Sequence, residues 1–131
     1  DGAASNNSLD LFREMRLAAG MQTLRGGDPA PVAARRLLEA ATRGGAAAIG
    51  LEADHGRLAP GAPADLILVD LEQPRLQPFH SPAQLVHAGS GADVRTVVVA
   101  GRLVVRERQL LTLDLAETLA RVRALARRVS S

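Results

Sequence analysis

The sequence predicts a mixed α/β fold, with helices towards both ends and a short run of strands between them. Three observations carry that expectation. Leu9, Phe12, Met15 and Ala19 recur at helical spacing and form one apolar stripe. Leu66-Ile67-Leu68-Val69 is a continuous apolar run bounded by Asp65 and Asp70, the pattern of a strand covered on both faces. Val94 to Ala100 is rich in β-branched residues, and Leu103-Val104-Val105 returns it after Gly101, the pattern of a hairpin.

The 131 residues suffice for one domain, and a chain of that size buries roughly two-thirds of its unfolded surface. Hydrophobic residues make up 47% and aromatic residues 2%, with no Trp or Tyr, so the core must be built from Leu, Val and Ala. The pI of about 10.8 overstates the basicity. All 16 basic residues are Arg, the formal net charge is only +2, and little else loses charge at high pH. The arginines are spread along the chain rather than gathered on one face, which argues against nucleic acid as a partner. Without cysteine there is no disulfide framework and no thiolate metal site. No apolar run approaches the ~20 residues of a membrane span, and the first residues have neither the basic nor the apolar part of a secretory signal. A cytoplasmic protein with no membrane partner is expected. The chain does not start with Met and is expected to be cut out of a longer one, or processed.

Residues 1–8 read as a polar loop. A helix follows, with Asn7 as its expected cap and Asp10 favouring its positive end; Gly26-Gly27 ends that region. Asp28-Pro29-Ala30-Pro31 opens a second helix, with Val32, Leu37, Leu38 and Ala41 as its apolar positions. Gly44-Gly45 is expected to break it, leaving Ala46 to Leu51 as a further short helix. Gly56, Pro60, Gly61 and Pro63 mark turns before the apolar run, and residues 72–93 read as irregular. Asp114 starts a last helix, with Glu117 completing a capping-box-like pair. Leu115, Leu119, Val122, Leu125 and Val129 form its stripe, and Arg121, Arg123, Arg127 and Arg128 lie towards its negative end. Three strands with one long gap make a poor self-contained sheet. Much of this surface is therefore expected to pack on something outside this sequence.

On the residues alone, the chemistry is thin. Asp1 in a small-residue loop could bind a metal, but a solvated carboxylate is the ordinary case. His55, His80 and His87 are separated by 25 and 7 residues, which is no local ligand motif. Ser5 and Ser8 lack the setting of an activated nucleophile. Gly89-Ser90-Gly91 is too short for a phosphate loop and reads as a turn.

Three segments carry a resemblance. Residues 1–18, Asp-Gly-Ala-Ala-Ser-Asn-Asn-Ser-Leu-Asp-Leu-Phe-Arg-Glu-Met-Arg-Leu-Ala, resemble the stretch after the eighth barrel strand in the amidohydrolase superfamily. More narrowly, they resemble its methylthioadenosine/S-adenosylhomocysteine deaminase branch; triazine hydrolases and 8-oxoguanine deaminases carry less matching versions. Residues 56–70 are similar to the superfamily's return from barrel to β-sandwich, and Val94 to Leu111 to its closing hairpin.

The resemblance implies the C-terminal part of a (β/α)8 metal-dependent hydrolase barrel plus part of its small β-sandwich domain. Residues 1–55 would end the barrel, 56–113 would belong to the β-sandwich and 114–131 would form a C-terminal helix. Active sites of such barrels lie at the C-terminal strand ends, which is where Asp1 would stand. In the family this Asp binds a divalent metal, commonly zinc, and takes a proton from the metal-bound water. Hydroxide then attacks C6 of an adenine nucleoside and ammonia leaves. Ser5 and Asn6 would lie near the substrate, or help cap the next helix. The family's histidine ligands and its acid/base residues are absent here, so the isolated chain is expected to be inactive. Its partners would be a nucleoside substrate, the missing N-terminal barrel portion or a complementing chain, and a second copy in a homo-oligomer. The alternatives are another amidohydrolase, of the guanine, 8-oxoguanine or triazine type, or a non-catalytic detached lobe.

Overall fold

A computed structural model of the chain describes residues 7–24, 33–51 and 53–129. Helix α1 (Leu11–Leu24) starts where Asp10 accepts the Phe12 amide at 3.0 Å and gives its own carbonyl to Glu14. Asp10, not Asn7, is therefore the N-cap. Asn7 lies upstream in a left-handed conformation (φ 62), too early to reach the first free amides. The expected stripe is also one residue shorter. Phe12 and Met15 are buried and Ala19 packs beside them, but Leu9 precedes the helix and is exposed.

The second helical region is continuous where a break was expected. Helix α2 (Ala34–Glu39) passes through a wide turn, Ala40–Gly44, into α3 (Gly45–Ala48). Gly44 and Gly45 both keep right-handed helical angles. Glycine weakens a helix but does not forbid one, and here the bare backbones allow the wide turn to close. A Cβ on Gly44 would stand 3.3 Å from the Glu39 carbonyl. The helix ends at Gly50 (φ 79). Leu51 N–H bonds the Ala46 carbonyl and Gly50 N–H the Ala47 carbonyl, the paired closure of a Schellman motif. The proposed opening of this region, residues 28–32, lies outside the described residues.

The sheet has four strands rather than three, in the order β1 (Leu66–Val69), β2 (Val94–Val99), β3 (Arg102–Arg106), β4 (Gln109–Leu110), all antiparallel. Ala100 and Gly101 both have positive φ, as a two-residue type I′ hairpin requires. Glu107 and Arg108 repeat that geometry without glycine. The turn is held by the Arg95–Glu107 ion pair and by Arg108, which bonds Asp70 at 2.9 Å and the Ala92 carbonyl at 3.2 Å. Among the described residues β1 is an edge strand, with Ile67 48% and Leu68 56% exposed.

Between β1 and β2 the chain is more ordered than its Pro and Gly content suggested. It forms a 3-10 turn (Pro74–Leu76), helix α4 (Ala83–Ala88) and a second 3-10 turn (Gly91–Asp93). Val86 of α4 is fully buried and joins Phe12, Met15 and Leu37 in the core. That contact, not intrinsic propensity, stabilises a helix of six residues. Helix α5 (Leu115–Val129) starts at the expected Asp114, whose Oδ1 accepts Glu117 N–H at 2.9 Å, the one half of the expected pair seen among the described residues. Among the described residues its apolar stripe is uncovered, each of the five positions being between 43% and 87% exposed. Among the described residues, no helix is long and apolar enough to cross a membrane.

Candidate functional site

The three residues that the sequence assigns to the site, Asp1, Ser5 and Asn6, lie outside the described residues. The structure describes the segment that follows them, from Asn7 on. Asn7 and Leu9 both carry positive φ (62 and 46), and Ser8 Oγ donates to Glu14 Oε1 at 3.3 Å. Asp10 then joins α1 to the turn after α4. Its Oδ1 accepts from Phe12 N, and its Oδ2 accepts from Gly91 N at 3.0 Å and from Ser90 Oγ at 3.4 Å. Burial works against ionisation of this carboxyl. The amides of Gly91, Phe12 and Arg13 and the Ser90 hydroxyl outweigh it and hold the carboxyl below its ordinary range.

The receiving turn is firmly built. Ser90 accepts the Ala92 amide and gives its own N–H to Asp93 Oδ2 at 2.9 Å, a capping box. Asp93 is buried and ion-paired with Arg75. Gly89 leaves no room for a side chain, because a Cβ there would run into the Leu85 carbonyl and stand 2.9 Å from the Phe12 ring.

Beside Asp10 a polar cleft of about 620 Å³ is lined by Arg13, Arg16, Arg75, His87 and Ser90, among others. Two of its cations are explained by α4. Arg16 donates to the Gly89 carbonyl at 2.7 Å and Arg75 to the Ala88 carbonyl at 3.2 Å. Both satisfy acceptors at the helix's C-terminal end, where positive charge is favoured.

Among the described residues, no three His, Cys, Asp or Glu side chains come together to hold a metal. The described part of the chain does not by itself make a metal site. His55 Nδ1 lies 3.2 Å from Asp54 Oδ1, but the two are not aligned for a hydrogen bond. His80 gives its backbone N–H to Gln84, and His87 sits in the last turn of α4. The Asp10 tie was missed in the sequence. Its capping half was legible as an Asp directly before the periodic residues; its long-range half had no local signal. Ser90 and Asp93, at the spacing of a capping box, were a readable cue as well.

Comparisons with known proteins agree in direction. A model of the amidohydrolase family matches residues 1–104. The 5-methylthioadenosine/S-adenosylhomocysteine deaminase 1 of Syntrophus aciditrophicus is 43% identical over 130 residues, covering 98% of this chain and 29% of that protein. The crystal structure of an adenosine deaminase from Xanthomonas campestris with bound zinc superposes with a TM-score of 0.91 at 38% identity, over 99% of this chain and 30% of that one. Atrazine chlorohydrolase from Arthrobacter aurescens, complexed with zinc, superposes at 0.75 and 31% identity, over 87% of this chain and 26% of that one. The chain spans about 30% of the length of the curated relatives it matches. With more than half of its residues matched by the family model, the chain belongs to the amidohydrolase family.

Proposed function

We propose that these residues are the C-terminal part of an enzyme that hydrolyses the 6-amino group of an adenine nucleoside, of the 5′-methylthioadenosine or S-adenosylhomocysteine type. Water replaces the amino group at C6 and ammonia leaves. The single observation that carries this reading is the 43% identity over nearly the whole chain to a deaminase so named. In this reading residues 1–55 end a (β/α)8 barrel, 56–113 belong to its small β-sandwich and 114–131 are a C-terminal helix. The enzyme holds a divalent metal, zinc being favoured by the two zinc-bearing solved relatives. A bound divalent ion lowers the pKa of its water towards neutrality. Asp1 is this chain's ligand and proton acceptor, and Ser5 and Asn6 face the substrate. The remaining ligands and the acid/base residues come from outside this sequence. The reaction takes place in the cytoplasm, within a homo-oligomer.

A triazine-type hydrolase is the second reading, favoured by the likeness to atrazine chlorohydrolase. The higher TM-score and identity of the adenosine deaminase place it behind. The deciding experiment takes the natural polypeptide that carries these residues, measures its intact mass and metal content, and follows ammonia release. Methylthioadenosine, S-adenosylhomocysteine, adenosine, guanine and atrazine are the substrates. Release from the first two with about one equivalent of zinc is expected. Turnover of guanine or atrazine alone overturns the reading in favour of another amidohydrolase, and a metal-free protein inert towards all five points to a non-catalytic lobe.

A further inference from the structure

We propose that α5 is a self-association helix, whose apolar stripe packs antiparallel against the same stripe of a second copy of the complete polypeptide. The proposal rests on the reading of that polypeptide as a homo-oligomer, and not on its chemistry. Two observations carry it. The first is that the stripe has no cover among the described residues. Leu115, Leu119, Val122, Leu125 and Val129 are all exposed, and α5 buries no side chain. Leu111 and Leu113, on the approach to the helix, are exposed too. The stripe is also narrow. Leu115, Val122 and Val129 recur every seven residues, Thr118 and Leu125 form a second such row, and Leu119 borders it. That is the seam of a two-helix pair rather than the broad face of a helix docked on a core. Thr118 suits the seam because its hydroxyl is already bonded to the Asp114 carbonyl of its own helix.

The second observation is a charge pattern that is self-complementary in one direction only. The acidic Asp114 and Glu117 stand at the start of α5, and Arg121, Arg123, Arg127 and Arg128 follow. In a parallel pair the acidic starts would lie side by side, and so would the arginines. Asp114, Arg121 and Arg128 also recur every seven residues, along one border of the seam. In an antiparallel pair that border meets its own copy, and border charges set the orientation of such pairs. Asp114 then lies opposite Arg128 of the second copy, twice by symmetry. Leu115 shares a layer with Leu125, Leu119 meets Leu119, and the two helix dipoles oppose each other. Arg121 falls opposite its own copy, at a flank where salt screens the repulsion. An interface about a two-fold axis must be complementary to itself, and α5 meets that condition.

Asp114 and Arg128 cannot sense each other within one helix. At a rise of ~1.5 Å per residue they stand about 21 Å apart, roughly twice the screening length in physiological salt. Coupling between them therefore reports contact between copies. Arg128→Glu sets carboxylate against carboxylate across the seam and leaves the cap untouched. Asp114→Asn keeps the cap, since Asn caps as well as Asp, and removes only the charge. Alone, Asp114→Asn should weaken the pair; combined with Arg128→Glu it should strengthen it. A local capping role has the same effect in both backgrounds, so the reversal belongs to the interface.

The test is sedimentation equilibrium of the complete natural polypeptide over a dilution series, with ammonia release from methylthioadenosine followed on the same samples. The wild type is expected to be a dimer or a multiple of one. Leu119→Asp, which sets two carboxylates face to face, should raise the dissociation constant of the pair about a hundredfold or more. Arg128→Glu should raise it about tenfold and Asp114→Asn about threefold, while the double variant binds more tightly than Arg128→Glu alone. A monomeric wild type overturns the proposal together with the homo-oligomer reading. An assembly that Leu119→Asp leaves intact overturns the proposal alone, and a lowered thermal midpoint in that variant then shows α5 covered by its own chain. If Leu119→Asp does not fold, the Asp114 and Arg128 variants decide: the reversal supports the pair, and additive effects overturn it. A wild type that assembles through α5 but releases no ammonia overturns the deaminase reading and leaves the interface standing.

Discussion

The guanidinium of Arg75 is paired with the carboxylate of Asp93, whose side chain is 1% exposed, and it also donates to the Ala88 carbonyl. One residue thus neutralises a buried charge and closes the end of α4. Removing it leaves Asp93 buried with the Ser90 amide as its remaining donor. Breaking one side of a buried pair costs about 3–5 kcal/mol. Because Arg75 itself is half exposed, a loss of about 2–3 kcal/mol is expected for Arg75→Ala. Urea unfolding measures it as a lower midpoint at an unchanged slope.

Gly89 is required for space rather than for conformation. Its φ is an ordinary −69, yet a Cβ would strike the Leu85 carbonyl and the Phe12 ring. Overpacking of this kind costs roughly 1–3 kcal/mol. Gly89→Ala should lower stability by that amount. Adding Phe12→Leu, which removes the ring, should recover part of it, so the two changes should be non-additive in a double-mutant cycle.

Acid should loosen the junction between α1 and the turn after α4. The Asp10 carboxyl is held below its ordinary 3.8 by its donors, and Asp70 is lowered too, chiefly by the Arg108 hydrogen bond. A group with a depressed folded-state pKa adds stability above its unfolded value, and that stability is lost as pH falls through the folded one. Thermal midpoints should therefore drop below about pH 4. The drop should be shallower in Asp10→Asn, which no longer titrates at that position. An equally steep decline in the variant would exclude Asp10 as a source.

The start of α5 depends on Asp114. Asp114→Ala removes the acceptor for the Glu117 amide and should cost about 1 kcal/mol of helix stability. Since α5 buries none of its own side chains in this chain, the loss should appear as fraying, visible as reduced helical circular dichroism without a shift in the main unfolding transition.

What the sequence made legible were features whose cause is local. Asp114 with Glu117 announces a helix start, Ala100-Gly101 between two Val-rich runs announces a tight hairpin, and the Phe12, Met15 and Leu37 stripes announce a core. Features set by distant partners were not legible. Helix α4 sits among prolines and glycines and owes its order to Val86 against α1 and α2. Gly44 and Gly45 read as breakers because glycine's cost is visible in the sequence, while the wide turn that it permits is not. Asp10 showed its charge but not its reach to Gly91. For the site itself, the sequence named Asp1, Ser5 and Asn6 through resemblance alone, and they lie outside the described residues.

The order of strands bears on how the molecule assembles. β2, β3 and β4 are joined by two-residue turns, so their pairing closes very small loops, and elements of this kind form in microseconds. The Asp10–Gly91 bond joins residues 81 apart, a closure whose entropic cost grows with the logarithm of the separation. It should form late, after the sheet and α4 exist to receive it. A partly unfolded chain would then carry a complete hairpin before α1 is joined to the turn after α4, so local pairing would precede the long-range tie.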